Sequence, residues 1–344
     1  MTSDEHKSAA PFDGDFVDVR GLTKHFSTKG GFLAGGGERT VHAVDDVSFS
    51  IRRGEALGLV GESGCGKTTI GRLVLRLLEP SSGTVQIDGT NLFALSPTEL
   101  REFRRRIQIV IQDPFGSLNP RMTIGGIISE PLEIHEVGNA AARAARLAEL
   151  LDIVGLPQSF ADRFPHELSG GQRQRVGIAR ALALETDLLV CDEAVSALDV
   201  SIQAQIINLL QEIKRARGLT LLFISHDLGV VRHVADRVAV MYLGQIVEIA
   251  PRAQLFAAPA HPYTKALLDA VPRAVVNSRP VATVSGDVPS PIDPPSGCRF
   301  HTRCPVTIDV CRHEDPVARR LSPRHFAACH LLADAPTVTE RMPE

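Results

Sequence analysis

The sequence predicts an α/β protein built on a parallel sheet, followed by a small C-terminal domain of different composition. Short apolar runs at Ala56–Val60, Leu188–Cys191 and Thr220–Ile224 read as strands and alternate with segments of helical period. The first of them enters a glycine-rich turn that opens a helix, a strand–loop–helix unit. From Pro251 onward lie 14 of the 22 prolines and four of the six cysteines, which sets the tail apart.

A chain of 344 residues suggests two domains, and an apolar fraction of 44% is enough for a sizeable core. The net charge of −3 points to no large polyanionic partner. No uninterrupted apolar run reaches membrane-spanning length, and Met1–His6 lacks the basic and apolar regions of a signal peptide. The expected location is therefore the cytoplasm, with any membrane role exercised through a partner. In a reducing compartment the cysteines are not expected to form a disulfide framework.

Taken in order, residues 1–14 are polar and expected to fray. Phe16–Val19 alternates like a strand, Lys29–Arg39 holds five glycines and reads as a flexible loop, and Val44–Ile51 is again strand-like. After the Gly61–Thr68 loop, Ile70, Leu73, Val74, Leu77 and Leu78 form one apolar helix face, and Pro80 follows as a stop. Val85–Gly89 reads as strand and turn, and Arg101, Arg104, Arg105 and Arg106 as a solvated helix end. Ile107–Ile111 is a buried strand candidate, and residues 121–165 favour helix, with an alanine-rich stretch over Ala140–Leu151. Arg173–Leu184 is helical, with Val176, Ala179 and Ala183 on one face. Ile202, Ile206, Leu209, Leu210 and Ile213 mark another amphipathic helix, with Lys214, Arg215 and Arg217 near its negative end and Gly218 at its stop. Val238–Leu243 and Gln245–Ile249 are expected to close the sheet.

Several of these junctions carry chemistry. Gly61-Glu62-Ser63-Gly64-Cys65-Gly66-Lys67-Thr68 fits G-x-x-x-x-G-K-[ST] without a mismatch. Its glycines allow a tight anion-binding turn, Lys67 supplies a charge for β- and γ-phosphates, and the Thr68 hydroxyl can ligate Mg²⁺. Cys65 is a small loop residue, expected to point away from the phosphates. A second glycine turn, Leu168-Ser169-Gly170-Gly171-Gln172, opens a helix with Ser169 as its cap. Alone, such a turn is as readily an ordinary cap as an anion site. Leu188–Cys191 ends in Asp192-Glu193, where Asp192 can hold Mg²⁺ and Glu193 can orient or deprotonate a water. Thr220–Ile224 is followed by Ser225-His226-Asp227.

Two anion loops about a hundred residues apart, in this order with the paired carboxylates and the histidine, resemble the ATP-binding cassette (ABC) ATPases. The resemblance implies a P-loop NTPase (RecA-like) core over residues 15–255, with an inserted helical subdomain at about 116–182 that docks on membrane subunits. It implies that Phe26 stacks on adenine and that Gly61, Ser63, Gly64, Cys65, Gly66, Lys67, Thr68 and Thr69 surround the phosphates. Gln112-Asp113-Pro114-Phe115-Gly116-Ser117-Leu118-Asn119-Pro120 resembles the family's glutamine loop, in which Gln112 would reach Mg²⁺ and the attacking water. Glu193 and His226 would act in hydrolysis, His226 by contacting the γ-phosphate. Ser169, Gly170, Gly171 and Gln172 would close over nucleotide held by a partner subunit. Ser196-Ala197-Leu198-Asp199 matches the D-loop, which places Asp199 at that same junction. Ala194-Val195 stands where many relatives have Pro-Thr, a departure without a catalytic side chain.

His261–Leu268, Pro289–His301, Asp199–Gln205 and the glutamine loop together resemble the ATP-binding subunits of oligopeptide, dipeptide and nickel importers, over roughly residues 16–330. Residues 256–344 would form the C-terminal domain of that group. Within it Cys298, Cys304, Cys311 and Cys329 are spaced C-x5-C-x6-C-x17-C, which fits neither zinc-finger nor common ferredoxin patterns. Four thiols in 32 residues of a cytosolic protein nonetheless suggest a metal. All-thiolate ligation suits [4Fe–4S] or Zn²⁺; the resemblance favours the cluster, while His301 and His330 keep zinc open.

One phosphate loop and one signature mean that the chain must dimerise to complete a site. The expected function is ATP hydrolysis that energises import of di- or oligopeptides from the cytoplasmic face of the membrane. The expected partners are a second ABC ATPase subunit, a paralogue in a heterodimer, two transmembrane permeases and a solute-binding protein; no nucleic acid is expected. The same machine could import nickel, glutathione or another solute. A soluble ABC ATPase acting on nucleic acid or ribosomes is the reading from a different class, disfavoured by the lack of a second cassette or broad basic surface.

Overall fold

The computed structural model describes residues 15–29, 38–112, 114–270, 286–332 and 334–337. The expected fraying of residues 1–14, most of the glycine-rich loop (30–37) and Asp113 of the glutamine loop lie outside the described residues. In chain order the elements begin with β1 (Val17–Lys29), β2 (Glu38–Ile51), β3 (Ala56–Val60), α1 (Lys67–Val74), β4 (Ser82–Ile87), β5 (Thr90–Asn91) and α2 (Pro97–Phe103). There follow β6 (Ile107–Val110), α3 (Pro114–Ser117), α4 (Ile124–Ile134), α5 (Ala140–Ile153), α6 (Gly170–Ala181), β7 (Leu188–Asp192) and α7 (Val200–Arg217). The chain continues through β8 (Thr220–Ser225), α8 (Leu228–Val234), β9 (Arg237–Tyr242), β10 (Gln245–Pro251), α9 (Arg252–Ala257), α10 (Pro262–Asp269), β11 (Ala318–Ser322) and β12 (His325–Ala328).

The main sheet runs β11-β12-β10-β9-β3-β8-β7-β6. Its five strands from β9 to β6 are mutually parallel, and β10, β12 and β11 continue it antiparallel. The parallel strands β3, β7, β8 and β9 are buried on both faces, so they are mostly apolar, yet their side chains still alternate between two cores. Leu57, Leu59, Leu188, Val190, Leu222 and Ile224 pack under the second sheet, of order β2-β1-β4-β5, together with α1. Ala56, Val60, Leu189, Cys191, Leu221 and Phe223 face the opposite way, into a core shared with α4, α5, α6 and α7.

The helical expectations hold within a few residues at each end except at α1, which stops at Val74 before a left-handed Arg76 (φ 48°), so Leu77 is exposed and not part of the helix's apolar face. Asn139 caps α5 by accepting from the Ala142 amide at 2.9 Å, and Gly218 ends α7 in the left-handed conformation. Two readings need revision. Arg106 is not simply solvated: it donates to Asp88 at 2.6 Å and Asp187 at 2.7 Å, tying β4 to the start of β7. The tail is more than short turns, because β12 pairs with β10 and adds two strands to the main sheet. Phe300 enters the helix-side core and Phe326 the other.

Candidate active site

Strand β3 delivers the chain into a loop that wraps the N-terminus of α1. Gly66 caps that helix at φ 107°, where a Cβ would collide with the Ala43 carbonyl of β2. Only glycine is free of both penalties there. The Lys67 side chain is buried and donates to the carbonyls of Gly61 (2.8 Å) and Glu62 (2.9 Å). Cys65 is buried with its sulfur 3.7 Å from the Lys67 ammonium, and burial raises its thiol pKa. It is a packed side chain, as expected of an inert thiol.

The loop opens on a cleft of about 330 Å³ lined by Val41, Ala43, Ser63, Gly64, Gly66, Lys67, Thr68, Thr69, Gln112, Glu193 and Pro291. Hence Ser63, Gly64, Gly66, Lys67, Thr68, Thr69, Gln112 and Glu193 share one space, as their motifs suggest. The Thr68 hydroxyl donates to Asp192 at 2.9 Å, joining the loop to the end of β7. These two hard oxygen donors, with Gln112 on the same cleft, suit Mg²⁺. Burial pulls the Asp192 pKa up and Glu193 adds to the rise, while Thr68, Arg72 and Lys67 oppose it. A carboxylate so placed gains from a cation beside it.

Glu193 takes φ 49°, a left-handed conformation uncommon outside glycine. Its amide donates to the Ile224 carbonyl at 3.0 Å, and its own carbonyl accepts from the Ser196 amide and hydroxyl. Neighbouring strand and turn thus impose the bend that turns its side chain into the cleft. His226, after β8, lies with Nδ1 3.4 Å from the Glu193 carboxylate. Phe26 pairs with Val41 across the β1–β2 hairpin, so both side chains share the face that borders the cleft.

Ser169, Gly170, Gly171, Gln172 and Asp199 do not line this cleft. Ser169 and Gln172 form a reciprocal capping box at the start of α6. Gly171 sits where a Cβ would meet Ile202 of α7 at 2.5 Å, and Gly170 lies beside Leu198. The signature and the D-loop therefore make one joint surface, apart from the phosphate loop of their own chain.

Sequence reasoning missed the tail's share in the site. Pro291 lines the cleft and its carbonyl accepts from the His42 amide at 2.9 Å. Arg303 and Tyr263 bond Glu62 inside the phosphate loop. An acidic residue at Glu62 signalled the need for a cation, but nothing local points to a partner 241 positions away. His25, His42 and Asp45 form a tight group, with Asp45 also held by Arg299. That guanidinium makes the group an ion-pair anchor for the tail.

The four tail cysteines are free thiols, and Cys298 lies near enough to the other three to interact with them electrostatically. Burial raises the Cys298 thiol to about 11, with Cys311, Cys329 and Cys304 adding to the rise. Cys298 donates its amide to the Cys311 carbonyl at 2.9 Å. Among the described residues the thiols do not form a single-ion grouping like that of His25, His42 and Asp45. His301 and His330 direct ring nitrogens to the carbonyls of Cys298 and Glu314, each at 2.9 Å.

The ABC transporter family pattern matches residues 44–196, and the oligopeptide/dipeptide transporter C-terminal region matches residues 247–311. The oligopeptide transport ATP-binding protein AppF of Bacillus subtilis is 50% identical over 321 residues, 92% of this chain and 97% of its own length. A Brucella ovis protein with a provisional peptide-import ATP-binding name is 54% identical over 314 residues, covering 91% of this chain and 96% of that protein. The chain belongs to the oligopeptide/dipeptide family of ABC transporter ATP-binding subunits. The ABC fold extends to solved structures. The dimeric cassette MJ0796, bound to ADP and phosphate after hydrolysis, aligns with TM-score 0.61 and 30% identity over 69% of this chain and 98% of its own. As an ABC ATPase, the subunit hydrolyses ATP. Among the described residues no helix is long and apolar enough to cross a membrane.

Proposed function

We propose that this ABC ATPase energises import of di- or oligopeptides through two permease subunits at the cytoplasmic face of the membrane. The observation that carries the reading is the division of its motifs. Lys67, Thr68, Gln112, Asp192, Glu193 and His226 converge on one cleft, whereas Ser169–Gln172 and Asp199 occupy another surface. A second ATP-binding subunit, a paralogue of this one, supplies the missing signature to this cleft and receives this chain's signature in return. A solute-binding protein delivers the peptide.

In the closed pair, Lys67 leaves the loop carbonyls for the β- and γ-phosphates. Thr68, Asp192 and Gln112 would hold Mg²⁺, which would neutralise charge on the phosphate oxygens. Glu193 orients the attacking water and accepts its proton; His226 holds the γ-phosphate and restrains the Glu193 carboxylate. Phe26 supports the adenine. The tail thiols Cys298, Cys304, Cys311 and Cys329 fit a [4Fe–4S] cluster, because the donors are all sulfur and the resemblance to peptide-importer subunits favours it. Zn²⁺ is the alternative occupant, since four thiolates also suit it and His301 and His330 each keep one ring nitrogen free of their carbonyl contacts. The cluster's role is structural.

The test is affinity capture of the tagged Glu193→Gln protein with ATP from detergent-solubilised membranes, identifying proteins and small ligands by mass spectrometry. Two permeases, a paralogous ATPase and peptides are expected. Permeases carrying another solute would replace the cargo, and ribosomes or nucleic acid without permeases would overturn the transport reading.

A further inference from the structure

Glu62 occupies an unspecified position of the phosphate-loop pattern, yet all three of its polar groups are committed. Its amide donates to the Tyr263 hydroxyl at 3.0 Å. Its carbonyl accepts from Lys67 at 2.9 Å. Its carboxylate receives both terminal nitrogens of Arg303, at 2.6 and 3.0 Å. A bidentate guanidinium fixes direction as well as charge. Arg303 is almost wholly buried, with 5% of its side chain exposed, and also donates to the Tyr242 hydroxyl at 3.4 Å.

Arg303 is itself held by the cysteine-bearing turn. Its amide donates to the Phe300 carbonyl at 3.0 Å, and Phe300 packs against Tyr242 and Tyr263 with ring centroids 5.2 and 5.3 Å away. Cys298 and Cys304 bracket the segment. One turn of the tail therefore grips the entrance of the phosphate loop.

The arrangement has an electrostatic consequence. An unpaired carboxylate next to a triphosphate site repels the ligand, and in a partly buried setting that repulsion is weakly screened. We propose that Arg303 is a positioning residue of the nucleotide site: by neutralising and aiming Glu62 it sets nucleotide affinity, and it links that affinity to the packing of the 298–304 turn. It touches no reacting atom. Linkage makes the effect reciprocal, so bound nucleotide tightens the turn as the turn tightens nucleotide binding.

The inference rests on the ATP site described above, and the experiment separates the two. Binding of ATP with Mg²⁺ is measured by calorimetry on the full chain in four forms: wild type, Arg303→Gln, Glu62→Gln, and the double variant. Wild type without measurable binding would remove the ATP reading itself. With that reading intact, Arg303→Gln is expected to weaken binding about tenfold or more, a change of about 1.4 kcal/mol. Glu62→Gln is expected to bind within about threefold of wild type, and to rescue Arg303→Gln to that level in the double variant. A merely structural Arg303 predicts no rescue, and that outcome overturns the proposal. Should Arg303→Gln fail to fold, hydrogen exchange decides. Nucleotide is then expected to slow exchange in residues 298–304 of wild type and to lose that effect in Glu62→Gln; equal slowing in both overturns the proposal.

Discussion

At the scale of single residues, Glu193 combines chemistry with strain. Its left-handed backbone costs about 1–2 kcal/mol, sustained by the bonds to Ile224 and Ser196. The Glu193→Gln variant keeps the shape and loses the base. It is expected to bind ATP and to hydrolyse it at least about 100-fold more slowly in a single-turnover assay; near-normal turnover would remove Glu193 from its role. Glu193→Gly relieves the strain as it removes the side chain. Its melting temperature is expected at or above that of wild type, with hydrolysis lost. Lys67, Thr68, Asp192 and Glu193 were all legible in the sequence, because each belongs to a short motif whose chemistry requires neighbours. The strain at Glu193 was not, since the backbone angle is imposed by β8 and by the turn that follows.

At the scale of elements, two helices carry measurable consequences. Helix α6 packs on α7 through Gly171, whose Cβ would meet Ile202 at 2.5 Å. Gly171→Ala is expected to destabilise by about 1–3 kcal/mol in urea unfolding, the usual result of overpacking. Helix α10 is capped by His261, whose Nδ1 accepts from the Tyr263 amide at 3.1 Å. Burial lowers its pKa from 6.5 to about 4, partly offset by Glu248. The native state therefore refuses a proton that the unfolded chain accepts below pH 6.5. This contribution is fully present above 6.5 and is lost as pH falls towards 4, by on the order of 3 kcal/mol. His261→Asn, which can still cap, is expected to flatten the pH dependence of the melting temperature across that window. The strands and helices of the core were legible because period and caps are local signals. Strands β11 and β12 were not: Ala318–Ser322 and His325–Ala328 are short, half polar, and become strands through pairing, β12 with β10 and β11 with β12.

At the scale of the whole molecule, the tail belongs to the same packed body as the nucleotide site. It extends the main sheet, places Phe300 and Phe326 in opposite cores, and reaches the cleft through Pro291 and Glu62 through Arg303. Composition marked this region as different, but could not say where it docks, because its contacts join distant residues, 79 positions apart for Glu248 and Ala327 and 241 for Glu62 and Arg303. A chain stopped before residue 286 would leave the β10 edge open and Tyr242 and Tyr263 uncovered. It is expected to aggregate, detected as a loss of the monomer or dimer peak in size-exclusion chromatography. For the thiols, anaerobic purification is expected to yield a brown protein with about four iron and four acid-labile sulfide per chain. Colourless protein containing zinc would replace the cluster.

The grip of Arg303 on Glu62 also bears on how the protein is made. A ribosome releases Glu62 long before Arg303, which follows 241 residues later. Until then the emerging cassette has its phosphate loop but not the guanidinium that completes it, and β10 lacks its β12 neighbour. If Arg303 tunes the site as proposed, a nascent chain is expected to bind nucleotide about tenfold more weakly than the finished subunit. Full affinity is then expected only once the distal segment has been translated and folded back, so the contact that shapes the mature site would also time its completion.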